Sequence, residues 1–247
     1  PPPPPPPPPL VFFQPSPAPP MLRSLVGSEM CIRDSLWSLR IEESLETSNK
    51  RELSFASTRD GLRMVFGNRV TIGYALTLLF SGGAFYSFLS SSELIINEIF
   101  GRPGWFVPYF SLTMCVMAAV ALTGSKVVNR LGAQRLGHSA LGFQAIVSSA
   151  MLTVALITNG IPPIGIWMVL MSAQIAAMVF MMPTMPALAL QPMGALAGTA
   201  ASTVGFITIA IGALLGAIID RQITSTVTPL AVGYALYTFC AVVVVLT

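Results

Sequence analysis

The sequence predicts an all-α membrane protein of six transmembrane helices, and two observations carry that reading. From residue 70 to the end the chain has 178 residues but only eight charged side chains. Over the same stretch the apolar residues fall into six blocks, 70–90, 105–123, 140–157, 164–182, 195–219 and 229–247. A helix rising about 1.5 Å per residue needs about 20 apolar residues to cover roughly 30 Å of hydrocarbon, and each block lies near that length. The whole chain is 53% hydrophobic and 9% charged, with a mean hydropathy of +0.73, whereas a soluble domain carries about 25% charged residues.

The chain opens with nine prolines, followed by a proline-interrupted apolar stretch and the string Leu25-Val-Gly-Ser-Glu-Met-Cys-Ile-Arg-Asp-Ser35. That string resembles a translated sequencing adapter, so residues 1–35 are expected to be a non-native, disordered segment outside the fold. The proline run alone would form a polyproline II helix, the form that proline-binding modules take. Its apolar stretch is too short and too broken for a signal peptide. Residues 36–69 are polar and of mixed charge and read as a linker. Its last amphipathic piece, with Leu62, Val65 and Phe66, runs into the membrane at Arg69. The six-helix bundle then occupies 70–247, and a chain that enters through such a linker is expected to begin in the middle of a larger protein.

Charge orients the bundle. Lys50, Arg51, Arg59, Arg63, Arg69, Lys126, Arg130 and Arg135 fall on one side and Arg102 and Arg221 on the other. Basic residues gather on the cytoplasmic side of membrane proteins, so the linker and the loop 124–137 are expected there, with 91–104, 158–163 and 220–228 outside. Trp105, Tyr109 and Trp167 follow outer loops, where their rings suit the headgroup level. The net charge is only +3, and the basic residues are not interleaved with exposed aromatics, so a nucleic-acid partner is excluded. Cys31, Cys115 and Cys240 lack ligand spacing and read as small core residues, with no metal or cofactor implied.

Glycine spacing marks the helix contacts. Gly194 with Gly198, and Gly212 with Gly216, form two GxxxG pairs, which let helix backbones approach where lipid gives no hydrophobic drive for association. Along the fourth block Met171, Gln174, Met178, Met181 and Met185 recur at three or four residues as one stripe. Flexible thioethers suit a site that accepts many apolar shapes, and the same stripe suits plain helix packing. Pro183 and Pro186 are expected to break this helix at its cytoplasmic end. Glu93 and Glu98 are the only acids near the first block. They lie roughly 140° apart around a helix, and Glu93 is roughly 36 Å beyond Arg69, which places them at a solvated outer rim or a cavity mouth.

The segment Pro192-Met-Gly-Ala-Leu-Ala-Gly-Thr-Ala-Ala-Ser202, continuing through Gly205-Phe206 and Gly212-Ala-Leu-Leu-Gly216, resembles the eleventh helix of Bcr/CflA-type drug-resistance transporters of the major facilitator superfamily. Ser125-Lys-Val-Val-Asn-Arg-Leu-Gly-Ala133, followed by Gln134 and Arg135, resembles the superfamily's cytoplasmic gating loop. Here Ser125 stands where that loop has glycine, Asn129 where it has aspartate, and Ala133 where it has a basic residue. Asn129, Arg130, Gly132 and Arg135 are the candidate gating residues, and an ordinary basic turn is the other reading of the same loop. Residues 80–98 resemble the family's seventh helix, with Glu93 where proline is usual.

The resemblance covers about 200 residues and implies the C-terminal six-helix half of a bacterial inner-membrane exporter. Such a half works with a preceding N-terminal six-helix half, a small amphipathic substrate and protons, and that other half carries the acidic proton-coupling residue. Phe85, Phe88, Gln174, Met178, Met181 and Phe206 are then the candidate substrate contacts. A six-helix structural or self-assembling permease subunit is the alternative. An intramembrane protease would have to use His138-Ser139, and neighbours on a helix point about 100° apart, too far for a facing dyad.

Overall fold

A computed structural model describes residues 55–246. The proline run, the adapter-like string and most of the linker lie outside the described residues, as does Cys31. The described chain is all helical, and six of its helices are long and apolar enough to cross a membrane. This is a multi-pass membrane protein.

A short helix, Phe55–Gly67, precedes the first span and lays Val65 against Met193 and Ala200. The first span, Arg69–Ile99, starts where Asn68 Oδ1 accepts from the Val70 and Thr71 N–H groups at 3.1 Å each. Such a cap satisfies backbone donors that the first helical turn leaves orphaned. The span runs beyond the expected limit at residue 90, because no Gly or Pro intervenes before Gly101 and Ile95 and Ile96 continue the buried face. Its last turn, Ile95–Ile99, widens to a π-helix. Glu93 and Glu98 are therefore helical, and both are exposed.

The second span, Phe106–Leu131, and the third, Ala133–Ile157, meet at Gly132. There φ is 80° and ψ is 153°, a conformation open to glycine and costly for any side chain. The fourth span, Ile164–Gly194, passes through Pro183 and Pro186 as unbroken α-helix to Leu190, contrary to the expectation of a break there. Packing holds this segment: Met181 and Met185 are fully buried, and Ala189 O accepts from Thr71 Oγ1 at 2.8 Å. A neighbouring span can thus retain a proline-containing helix that propensity alone would end. The fifth span, Ala197–Asp220, carries a π-turn at Ile207–Ile211, and the sixth is Thr228–Leu246.

The first span lies against the fourth, fifth and sixth, and the third lies against the fourth and sixth. The second leans on the fourth and leaves most of its length uncovered. One apolar cluster joins Phe88, Ile95, Tyr109, Trp167 and Tyr234 at the end away from the basic loop, and another joins Leu78, Leu141, Met181 and Met185 nearer to it. Of the three rings expected at headgroup level, Tyr109 and Trp167 are turned into the first of these clusters. Trp105 alone of the three is exposed, with the Arg102 guanidinium 5.8 Å from its ring centroid, a cation–π arrangement.

The two GxxxG spacings behave differently. At Gly216 a Cβ would stand 3.0 Å from Ser87 N and 3.1 Å from Gly83 O, and at Gly212 it would stand 3.5 Å from Gly83 N. Here the fifth and first spans touch backbone to backbone. Gly194 and Gly198 have nothing within 4 Å of such an atom. Gly194 sits at a kink with φ 36° in a 3₁₀ turn that breaks the helical register between the pair. Gly216→Val is expected to cost about 1–3 kcal/mol by forcing the two helices apart. Gly198→Ala should be neutral or stabilising by up to about 1 kcal/mol. Thermal unfolding of both variants in detergent checks the contrast.

Candidate functional site

Three groups of side chains stand out from the apolar bundle, at its two ends and at its middle. At the basic end, Asn129, Arg130, Gly132 and Arg135 are all exposed, on the turn between the second and third spans. Arg130 occupies the last turn of its helix, where a cation opposes the negative end of the helix dipole. No hydrogen bond from Arg130 to a helix-end carbonyl occurs among the described residues. A groove of about 480 Å³ separates this turn from Ala187, Leu188 and Gln191 at the end of the fourth span. Close by, His138 Nε2 lies 3.2 Å from the Tyr74 hydroxyl, and Ser139 Oγ donates to Leu136 O. The histidine and serine therefore serve separate partners and form no dyad.

At the opposite end the structure brings together residues that spacing did not single out. Asp220 lies one turn beyond Gly216, on the face that the backbone contact turns toward the first span. Its carboxylate accepts from Ser87 Oγ at 2.5 Å and from Ser90 Oγ. Ser87 is fully buried, Asp220 half-buried and Ser90 exposed, so the group reaches from the surface into the helix contact. Hydrogen bonds to an ionised acceptor are the strong ones.

The middle of the bundle holds the third group. Ser81 Oγ, Gln144 Oε1, Gln174 Oε1 and Nε2, Thr208 Oγ1 and Thr238 Oγ1 are buried atoms without a hydrogen-bond partner. They come from five spans, each 10 to 12 residues after its span begins, which is roughly 15–18 Å along a helix axis. Each lies in the interior of its span, away from both helix ends. Buried polar groups are nearly always paired, and in hydrocarbon an unpaired one costs several kcal/mol. Ser92 and Asn97 also keep unpaired buried oxygens, toward the end that holds Asp220.

The candidate substrate contacts divide between the interior and the surface. Gln174, at 1% exposure, lies with Met178 and Met181 on the buried face of the fourth span, where the methionine stripe points inward. Phe88 is buried and stacks on Phe110, with ring centroids 6.3 Å apart and planes 8° apart, and Phe85 is its half-buried neighbour at 6.5 Å. Phe206 is 67% exposed and separate from these. It borders an apolar groove of about 550 Å³ between the short first helix, the first span and the fifth, with Leu76, Ser202 and Ile211 among the other walls. Grooves of this size admit small organic molecules.

Compared with models of known families, with curated proteins and with solved structures, the chain finds no match.

The carboxylate clamp has a measurable strength. Ser87→Ala and Asp220→Ala should each destabilise the bundle by about 1–3 kcal/mol. In a double-mutant cycle the pair should show a coupling of about 1 kcal/mol or more, read from unfolding in detergent. Additive losses would mean that Ser87 and Asp220 act separately.

Proposed function

We propose that this chain is one six-helix half of a major facilitator superfamily transporter of the Bcr/CflA drug-resistance type. In this reading it sits in a bacterial inner membrane and exports small amphipathic compounds in exchange for protons. It performs no covalent chemistry. The observation that carries the reading is the set of unpaired polar side chains buried in the interiors of five spans. Polar groups held at membrane depth are costly, and they occur where a substrate or ion path crosses the bilayer.

The fifth span supports the same reading in another way. Its segment 197–202 carries the family-like sequence, its Gly212 and Gly216 fix it to the first span, and its outer face offers Ser202 and Phe206 to an apolar groove. A preceding six-helix half would cover the second and fifth spans and supply the other wall of the path. Alternating access then follows from rocking of one half against the other about the site between them. The basic loop, with Arg130 at the end of the second span, serves as a latch between conformations.

The test joins this chain to a preceding six-helix half and follows energy-dependent efflux of an amphipathic dye from cells. Efflux is expected from the joined protein and not from the chain alone. Efflux by a homodimer of the chain would favour the self-assembling permease. Gln174→Leu separates function from packing, because removing an unpaired buried amide should raise stability by about 1–3 kcal/mol. The same variant should lose most of its efflux. Full efflux by a stabilised Gln174→Leu protein would leave the unpaired amide without a role in transport.

The latch has its own test. Arg130→Ala and Arg130→Lys should both reduce efflux at equal membrane abundance, since a latch needs the planar guanidinium fork and not charge alone. Normal efflux by the lysine variant would leave the loop as a topological anchor.

A further inference from the structure

A groove lies at the basic end of the bundle, on the outer surface between the first and sixth spans. It uses none of the residues of the transport reading. Arg69, Val70, Gly73, Tyr74, Val244 and Val245 line a groove of about 210 Å³. Arg69 is exposed at the first residue of its span, with no ion-pair partner among the described residues, and Val70 beside it is also exposed. Gly73 forms the floor one turn deeper. A Cβ there would stand 3.9 Å from Val244 Cγ1, so a larger side chain would fill the trough between the two helices. The far wall is rigid, since the Tyr74 hydroxyl is held at His138 and the two rings stack at 6.1 Å and 21°.

The layout is that of a phospholipid. A guanidinium stands at the level where a span leaves the hydrocarbon, and an apolar trough descends from it into the membrane. Arg binds phosphate oxygens through two parallel donors, and the trough is open to an acyl chain. The surroundings favour negative charge. From residue 55 onward this end carries Arg59, Arg63, Arg69, Lys126, Arg130 and Arg135 but one acid, Asp60. Basic residues beside a bilayer attract anionic lipid by about 1 kcal/mol each. We propose that this groove binds one anionic phospholipid, with its phosphate on Arg69 and an acyl chain over Gly73.

Native mass spectrometry of the whole chain, delipidated and then offered phosphatidylglycerol or phosphatidylcholine, tests the site. The wild type should retain one phosphatidylglycerol in preference to phosphatidylcholine. Arg69→Gln should lower that preference about fivefold, and Arg102→Gln, at the opposite end of the bundle, should leave it unchanged. Gly73→Leu should abolish retention of both lipids while Arg69 stays in place, which tests the trough without touching the charge. Equal retention of the two lipids by the wild type would overturn the proposal. So would retention by Gly73→Leu at the wild-type level. Displacement of the lipid by millimolar inorganic phosphate, equally in wild type and Gly73→Leu, would reduce the site to a simple anion contact and overturn it as well.

Discussion

The backbone contact between the first and fifth spans is the constraint on which the rest depends. Apolar side chains in a bilayer gain little from leaving lipid for one another, so helices associate through close packing and polar bonds. Gly83 and Gly216 bring two backbones near enough that a single added methyl would stand about 3 Å from main-chain atoms. That proximity places Asp220 against Ser87 and Ser90 one turn beyond. It also sets Tyr237 so that its hydroxyl donates to Leu215 O at 2.9 Å, joining the sixth span to the fifth. One contact between small residues thus organises three helices.

The six spans were legible because a bilayer demands length and apolarity, and both are plain in a chain with eight charges after residue 69. Their limits were less so. Proline ends helices in water because the lost hydrogen bond and the ring clash go uncompensated. Pro183 and Pro186 are instead held in a segment pinned by Met181, Met185 and the Thr71 bond to Ala189. Glycine spacing identified both GxxxG pairs but not which was embedded in continuous helix, and a kink at Gly194 takes the first pair out of register. The methionine stripe had one face in sequence, but whether that face looks inward is a property of neighbouring helices. Asp220 sits just past the last residue of its apolar block and is separated from Ser87 by 133 positions. Local pattern has no means of pairing them.

The polar side chains fall into two sets. Some are paired across helices: Thr71 with Ala189, Tyr74 with His138, Ser87 and Ser90 with Asp220. Ser81, Gln144, Gln174, Thr208 and Thr238 keep atoms without partners. A bundle shaped by stability alone would place its unpaired groups near water, where hydration costs nothing. This one keeps five of them in the interiors of its spans.

That inversion has a physical consequence. Removing a partner from a buried polar group costs more than removing the group itself, so a helix surface with free donors and acceptors has more to gain from a bound hydroxyl, amide or water than an apolar surface of the same shape. Thr71 bonds the first span to the fourth and Ser87 and Ser90 bond it to the fifth, while Ser81 between them has no partner. The polar content of these spans is therefore divided between groups that join the helices and groups left without a partner.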